Sequence, residues 1–141
     1  MELKMTVEER EEFLAGVHVG VMAVERADGP PLSVPIWYGY SPGGEVSVVM
    51  GTGSLKHRLL ESAQRFSLCV QEENLPYKYV SVEGPVAGTS VATTEDSRVL
   101  AHRYMGAEFG DLYVESTSSE ASTRVTMAPE RWFTLDYSKM A

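Results

Sequence analysis

Residue type and spacing point most directly to chemistry in the stretch Gly51-Thr52-Gly53-Ser54-Leu55-Lys56-His57-Arg58. A β-type run ends at Met50, two glycines turn the chain, and a helix begins behind Ser54. The first N–H groups of a helix have no partner within it, and the helix dipole sets partial positive charge at the same place. Such a start receives anions. Ser54 adds a hydroxyl, while Lys56 and Arg58 add fixed positive charge. A phosphate is the ligand these groups fit. The simpler reading keeps Ser54 as a helix cap and Lys56 and Arg58 as a solvated face. His57 is either a further anion contact or an exposed ring. The spacing G-x-x-x-x-G-K-[ST] of nucleotide phosphate loops is absent, and so is the dinucleotide fingerprint G-x-G-x-x-G.

Two aromatic stretches come next. In Val34-Pro35-Ile36-Trp37-Tyr38, a proline and two large aromatics on one short strand form a floor for a planar ring, or else Trp37 is core and Tyr38 surface. Tyr77 and Tyr79 share one face of a strand, where they line a site or cover a sheet. No G-x-S-x-G elbow or catalytic triad is present. Cys69 lies mid-strand among apolar neighbours and reads as inert packing. His18, His57 and His102 follow no metal-ligand spacing, and His102 reads as a helix-surface residue. Glu83, Asp96 and Asp136 form no recognisable acid/base pair. No catalytic residue or metal ligand is therefore assigned, and chemistry on this chain would come from a cofactor.

The elements that must position these residues follow from periodicity and punctuation. Thr6 and Glu9 form a capping-box pattern for a first helix that stops at Gly16. Val17–Val24, Leu32–Tyr40 and Glu45–Met50 read as three strands joined by Asp28-Gly29-Pro30-Pro31 and Ser41-Pro42-Gly43-Gly44 turns. Pro35 demands an edge or bulge within the second. A helix spans Leu55–Ala63. Strands follow at Arg65–Glu72 and Tyr77–Val91, the latter bent at Gly84-Pro85. A helix runs over about Glu95–Tyr104. Gly106–Thr117 is either a short helix with Phe109, Leu112 and Tyr113 inward or a loop. Two last strands, Thr123–Ala128 and Arg131–Tyr137, flank Pro129. The pattern is mainly β with peripheral α, without regular βαβ alternation, and predicts a small antiparallel barrel.

The 141 residues form one domain, 1–141, long enough to bury its own core. Twelve Lys and Arg against 20 Asp and Glu give a net charge of −8. That charge speaks against nucleic acid and against an anionic membrane surface as partners. It also makes the Lys56-His57-Arg58 patch stand out. There is no long apolar run and no apolar signal core behind the charged N-terminus. With a single cysteine, the expected location is cytoplasmic.

Taken in order, the Val34-Pro35-Ile36-Trp37 strand, the Gly51-Thr52-Gly53-Ser54-Leu55-Lys56 loop, the Arg65-Phe66-Ser67-Leu68 strand and Tyr79-Val80-Ser81-Val82-Glu83-Gly84 resemble the pyridoxamine 5′-phosphate oxidase-like family of flavin-binding split β-barrels. The likeness runs from about Leu14 to Val86. It implies a Greek-key-like six-stranded barrel and a homodimer with cofactors in clefts between subunits. It implies that Val34, Pro35, Ile36 and Trp37 run beside the cofactor ring and that Met50, Gly51 and Thr52 pass the ribityl region. Ser54, Leu55, Lys56 and Arg58 lie at the phosphate, while Tyr79 and Trp132 match further cofactor contacts. The oxidase carries Arg and Lys at the ends of its ring-binding strand, where this chain has Ser33 and Tyr38, and a phosphate arginine where it has Leu55. Those departures point away from vitamin B6 oxidation and toward a related branch that binds FMN or a deazaflavin coenzyme. The implied function is a flavin- or deazaflavin-dependent oxidoreductase acting on a small molecule. The alternative is a carrier or sensor that binds the cofactor without turnover.

Overall fold

Alternate residues of Arg65–Glu72 are apolar. In the computed structural model, which describes residues 2–140, Phe66, Leu68 and Val70 are buried while Arg65, Cys69 and Gln71 stay exposed. The same period-two division sets the other strands. In chain order the elements are α1 (Val7–Ala15), β1 (Gly20–Val24), β2 (Leu32–Ile36), β3 (Val46–Gly51), α2 (Leu55–Ala63), β4 (Arg65–Glu72), β5 (Lys78–Val91), α3 (Thr94–Thr117), β6 (Ser122–Met127) and β7 (Arg131–Asp136). A short 3-10 turn, Tyr137–Lys139, follows. The spatial order is β2-β1-β4-β5-β6-β3, with β7 also on β5, and all ladders are antiparallel. This is the expected mainly β split barrel.

β5 is the spine. Its first half pairs with β4 on one edge and β7 on the other. Its second half, from Val86 onward and through a register shift between Val86 and Gly88, pairs with β6. β6 and β7 are thus consecutive stretches along one edge of β5, parted at Pro129. The predicted bend at Gly84-Pro85 has a steric cause. A Cβ on Gly84 would lie 1.8 Å from the Ala128 carbonyl oxygen, so only glycine lets the two backbones approach this closely.

The ring is nearly closed on its other side. Gly39, just past β2, makes an isolated antiparallel bridge with Ser47 of β3, through N–H···O bonds of 2.8 and 2.9 Å. Extending that register would set Trp37 opposite Val49 and Pro35 opposite Gly51. No ladder joins β2 to β3 there, and the barrel is split along this seam. Pro35 explains the seam in part. Its missing N–H is tolerated only where it faces away from β1.

The core fills the barrel with Met22, Val24, Val46, Val48, Leu68, Val70, Val80, Val82, Val125 and Met127, and Leu14 seals it. Tyr38 is fully buried. Its hydroxyl donates to the Leu14 carbonyl at 2.6 Å, and burial pushes its pKa up. Tyr38, read as surface if Trp37 is core, is therefore core, while Trp37 is half-buried. β1 begins at Gly20 rather than Val17, because Val17 and Val19 are exposed and unpaired. Cys69, expected as packing, is exposed on the outer face of β4.

α1 starts at Thr6 with both halves of the capping box made. α3 is two helices meeting at Gly106, whose φ of 80° breaks the helical path. Of the two readings of Gly106–Thr117 the helix holds and the loop does not, but Phe109 and Leu112 are 64% and 57% exposed rather than inward, and Tyr113 is exposed too. The inward face is set instead by buried Gly110 and Val114. Gly110 packs so tightly on the first half that an added Cβ would lie 3.0 Å from backbone atoms of Ala101 and His102. Asp111 fixes the bend through His102 at 2.6 Å and Arg98 at 3.4 Å. Among the described residues no helix is long and apolar enough to cross a membrane, and no group of three metal-binding side chains gathers.

Candidate functional site

The loop Gly51-Thr52-Gly53-Ser54 leaves β3 at the seam and is held from both sides. The Thr52 N–H donates to the Ala121 carbonyl at 3.0 Å, and the Thr52 and Thr123 hydroxyls share a 2.7 Å bond. Thr123 was not singled out in the sequence. Its alternation marks it only as one more inward strand residue. Gly53 has φ 82° with nothing near the place a Cβ would occupy, so the loop needs glycine for its backbone and leaves open space there.

At the start of α2, Ser54 Oγ accepts the His57 N–H at 3.3 Å. Because that oxygen acts as acceptor, its own O–H proton is free to donate outward. The first carbonyl-bound helical N–H is that of Arg58, to Ser54 at 3.0 Å. The N–H groups of Leu55 and Lys56 therefore have no protein acceptor among the described residues. Lys56 and Arg58 form no ion pair among the described residues, although carboxylates outnumber cations in the chain. A hydroxyl, two backbone N–H groups and two unpaired cations thus gather at one helix start. This fits a phosphate-bearing group.

Across the seam, Ser33, Pro35 and Trp37 share the outer side of β2, and Ser33 and Pro35 are exposed. Val34 and Ile36 face the core, as does Met50 on β3, so these three can meet a ligand only through their backbone. Trp37 is not a bare platform. Its ring lies on Tyr104 with centroids 5.0 Å apart and planes 5° apart, and Tyr113 approaches it at 5.3 Å. Tyr104 in turn donates to the His18 carbonyl at 2.6 Å and accepts the Tyr38 N–H at 3.1 Å. Sequence spacing gave no sign of this brace, since Tyr104 belongs to a helix far along the chain.

The remaining two expected residues lie elsewhere within one chain. Tyr79 faces outward on β5, beside a recess of about 360 Å³ that it shares with Tyr77, Lys78 and Tyr137. Trp132, opposite Val82, turns to the inner side, where Arg10 sits 4.6 Å over its ring and Tyr40 meets it edge-on. A second, charged groove of about 550 Å³ runs along the outer sheet face between Glu25, Arg65, Glu83 and Arg131. It contains none of the loop residues.

The outer sheet face carries an unusual row. Register places Pro35, Val21, Cys69, Ser81 and Phe133 side by side across five strands. Pro35, Val21, Cys69 and Phe133 are all exposed. Along the β2 side the row continues to Trp37, which the exposed Tyr113 of α3 approaches. An exposed apolar band of this extent marks an interaction surface more often than bare surface.

No family model and no curated protein matches the sequence. Solved structures do match the fold. A conserved hypothetical protein of Mycobacterium tuberculosis is 20% identical with a TM-score of 0.75, covering 98% of this chain and 89% of that one. An F420 reductase is 22% identical with a TM-score of 0.71, covering 87% and 94%. A candidate pyridoxamine 5′-phosphate oxidase of Listeria innocua is 11% identical with a TM-score of 0.59, covering 89% and 97%.

Proposed function

On the premise of a pyridoxamine 5′-phosphate oxidase-like split barrel, we propose that this chain binds a phosphate-bearing flavin, FMN, or a phosphate-bearing deazaflavin, and serves as an oxidoreductase for a small molecule. The observation that carries the proposal is the junction of the Gly51–Ser54 loop with α2, placed beside a seam that no ladder closes. Ser54 O–H, the Leu55 and Lys56 N–H groups and the two cations would hold the phosphate. The outer side of β2, at Ser33 and Pro35, would lie along the ring, with its unpaired backbone polar groups free to bond the ring's edge. Trp37, braced by Tyr104, would bound that ring at one end. Tyr38 is turned into the core with its hydroxyl on the Leu14 carbonyl, so it would offer no polar group to a substrate. Either cofactor, when bound, supplies the hydride or electron transfer that the side chains cannot supply alone.

A second copy completes the site in this reading. The apolar band adjoins the seam, and a two-fold related copy seated on it would cover the open ring face and bring its own outward-facing Tyr79 near the cleft. The F420 reductase among the structural neighbours supports a deazaflavin as much as FMN.

The test is direct. The absorption spectrum and mass of any small molecule that copurifies should identify a flavin or deazaflavin. Fluorescence titration with FMN and with a deazaflavin should show saturable binding of one. Binding of neither would sink the proposal. Retained cofactor without turnover on a broad panel of acceptors would favour the carrier reading instead.

A further inference from the structure

His57 was open between anion contact and exposed ring, and its geometry fits neither. Its side chain is only 12% exposed. Its Nδ1 lies 2.9 Å from the backbone N of Gly53, and the His57 backbone N–H donates to Ser54 Oγ. A backbone N–H can only donate, so Nδ1 must be the bare acceptor nitrogen and the ring proton must sit on Nε2. The surroundings agree, because the Glu61 carboxylate stands 3.8 Å from Nε2, where a proton is favoured. The ring therefore reaches back over the helix start and ties down the one loop residue with a left-handed backbone.

We infer that His57 is the positioning residue of the anion loop, acting as a tautomer-specific clamp rather than as a ligand. By taking the Gly53 N–H it holds the turn in the shape that leaves Leu55 and Lys56 N–H pointing outward. The backbone N–H at the same position donates to Ser54 Oγ and so leaves that hydroxyl's proton to turn toward the ligand. The selection that results is for a tetrahedral oxyanion met by hydroxyl and backbone donors, with His57 itself kept off the anion. This inference rests on the phosphate reading of the same loop.

The experiment compares the wild-type chain with His57→Asn, His57→Gln and His57→Leu. The Asn side-chain oxygen falls where Nδ1 lies, whereas the Gln amide reaches past it. ¹⁵N-detected ring shifts should report the Nε2–H tautomer near neutral pH, and the Gly53 amide should exchange slowly. FMN titration should show wild-type-like affinity for His57→Asn and a roughly tenfold loss for His57→Gln and His57→Leu. Melting temperatures should stay close across the set. An Nδ1–H tautomer, a fast-exchanging Gly53 amide, or equal affinity in all three variants would overturn the clamp. So would losses that merely track melting temperature. If the wild-type chain binds neither FMN nor inorganic phosphate, the cofactor reading fails, and the clamp then stands or falls on the tautomer and the Gly53 amide alone.

Discussion

The indole of Trp37 and the phenol of Tyr104 are stacked with centroids 5.0 Å apart and planes nearly parallel, and the Tyr104 hydroxyl bonds the backbone at both His18 and Tyr38. One side chain of α3 thus fixes the orientation of a residue at the seam and the entry of β1 at once. Tyr104→Phe should keep the stack but lose the hydroxyl bonds. The expected cost is about 1–3 kcal/mol in urea unfolding, with the buried Tyr38 N–H left without its partner. Near-UV circular dichroism from Trp37 should change little.

Lys56→Ala and Arg58→Ala test the phosphate site. Each removes one unpaired cation without breaking an ion pair. Cofactor affinity should fall by roughly tenfold to a hundredfold for a charge-assisted contact, with unfolding midpoints unchanged. Titration of the purified variants with FMN and a deazaflavin measures this.

Gly84 is a packing position. Any side chain meets the Ala128 carbonyl oxygen, so Gly84→Ala must push β5 from the β6–β7 corner. A loss of about 3 kcal/mol or more is expected from denaturant unfolding. A neutral result would mean that the corner is not packed as described.

Glu9 gives a pH signature. Hydrogen bonding from Lys139, then from the Thr6 backbone N–H, lowers its pKa from 4.5 to about 2. A carboxyl lowered on folding adds stability that is full above the unfolded value and lost as pH falls through the folded one. The unfolding midpoint of the wild type should exceed that of Glu9→Gln at pH 7. The gap should shrink below pH 4.5 and close near pH 2.

Phe133→Arg and Val21→Arg probe the proposed second copy. Both residues are exposed in the apolar band, so neither change disturbs the core. Light scattering after gel filtration should show a dimer for the wild type and a monomer for the variants, together with weaker cofactor retention. A wild-type monomer that holds cofactor would remove the partner from the site.

The elements were legible because local signals and tertiary needs agree. Arg65–Glu72 alternates cleanly, Ser54 caps α2, and Thr6 with Glu9 caps α1. The loop at Gly51 was legible for the same reason, since its chemistry is written in consecutive residues. What escaped depends on residues far apart in sequence. Tyr104 reaches Trp37 across a chain separation that no periodicity records, and Tyr38 lies in the core rather than at the surface. The faces of Phe109 and Leu112 were misjudged because Gly110 takes the inward place through close backbone packing, a role that hydrophobicity does not reveal. His57 could not be resolved from its neighbours, because its role is fixed by the position of one ring nitrogen.

The last strand is also tied to the beginning of the chain. The Asp136 N–H bonds the Leu3 carbonyl at 2.8 Å, the Met5 N–H bonds the Thr134 hydroxyl, and Lys139 meets Glu9. The two ends of the described chain therefore leave the barrel side by side. A short linker joining them, with new ends cut at the exposed Gly43-Gly44 turn, would preserve every ladder and the helix start behind Ser54. The polypeptide can be read as a ring that happens to be opened beside β7, and the place of opening is independent of the seam.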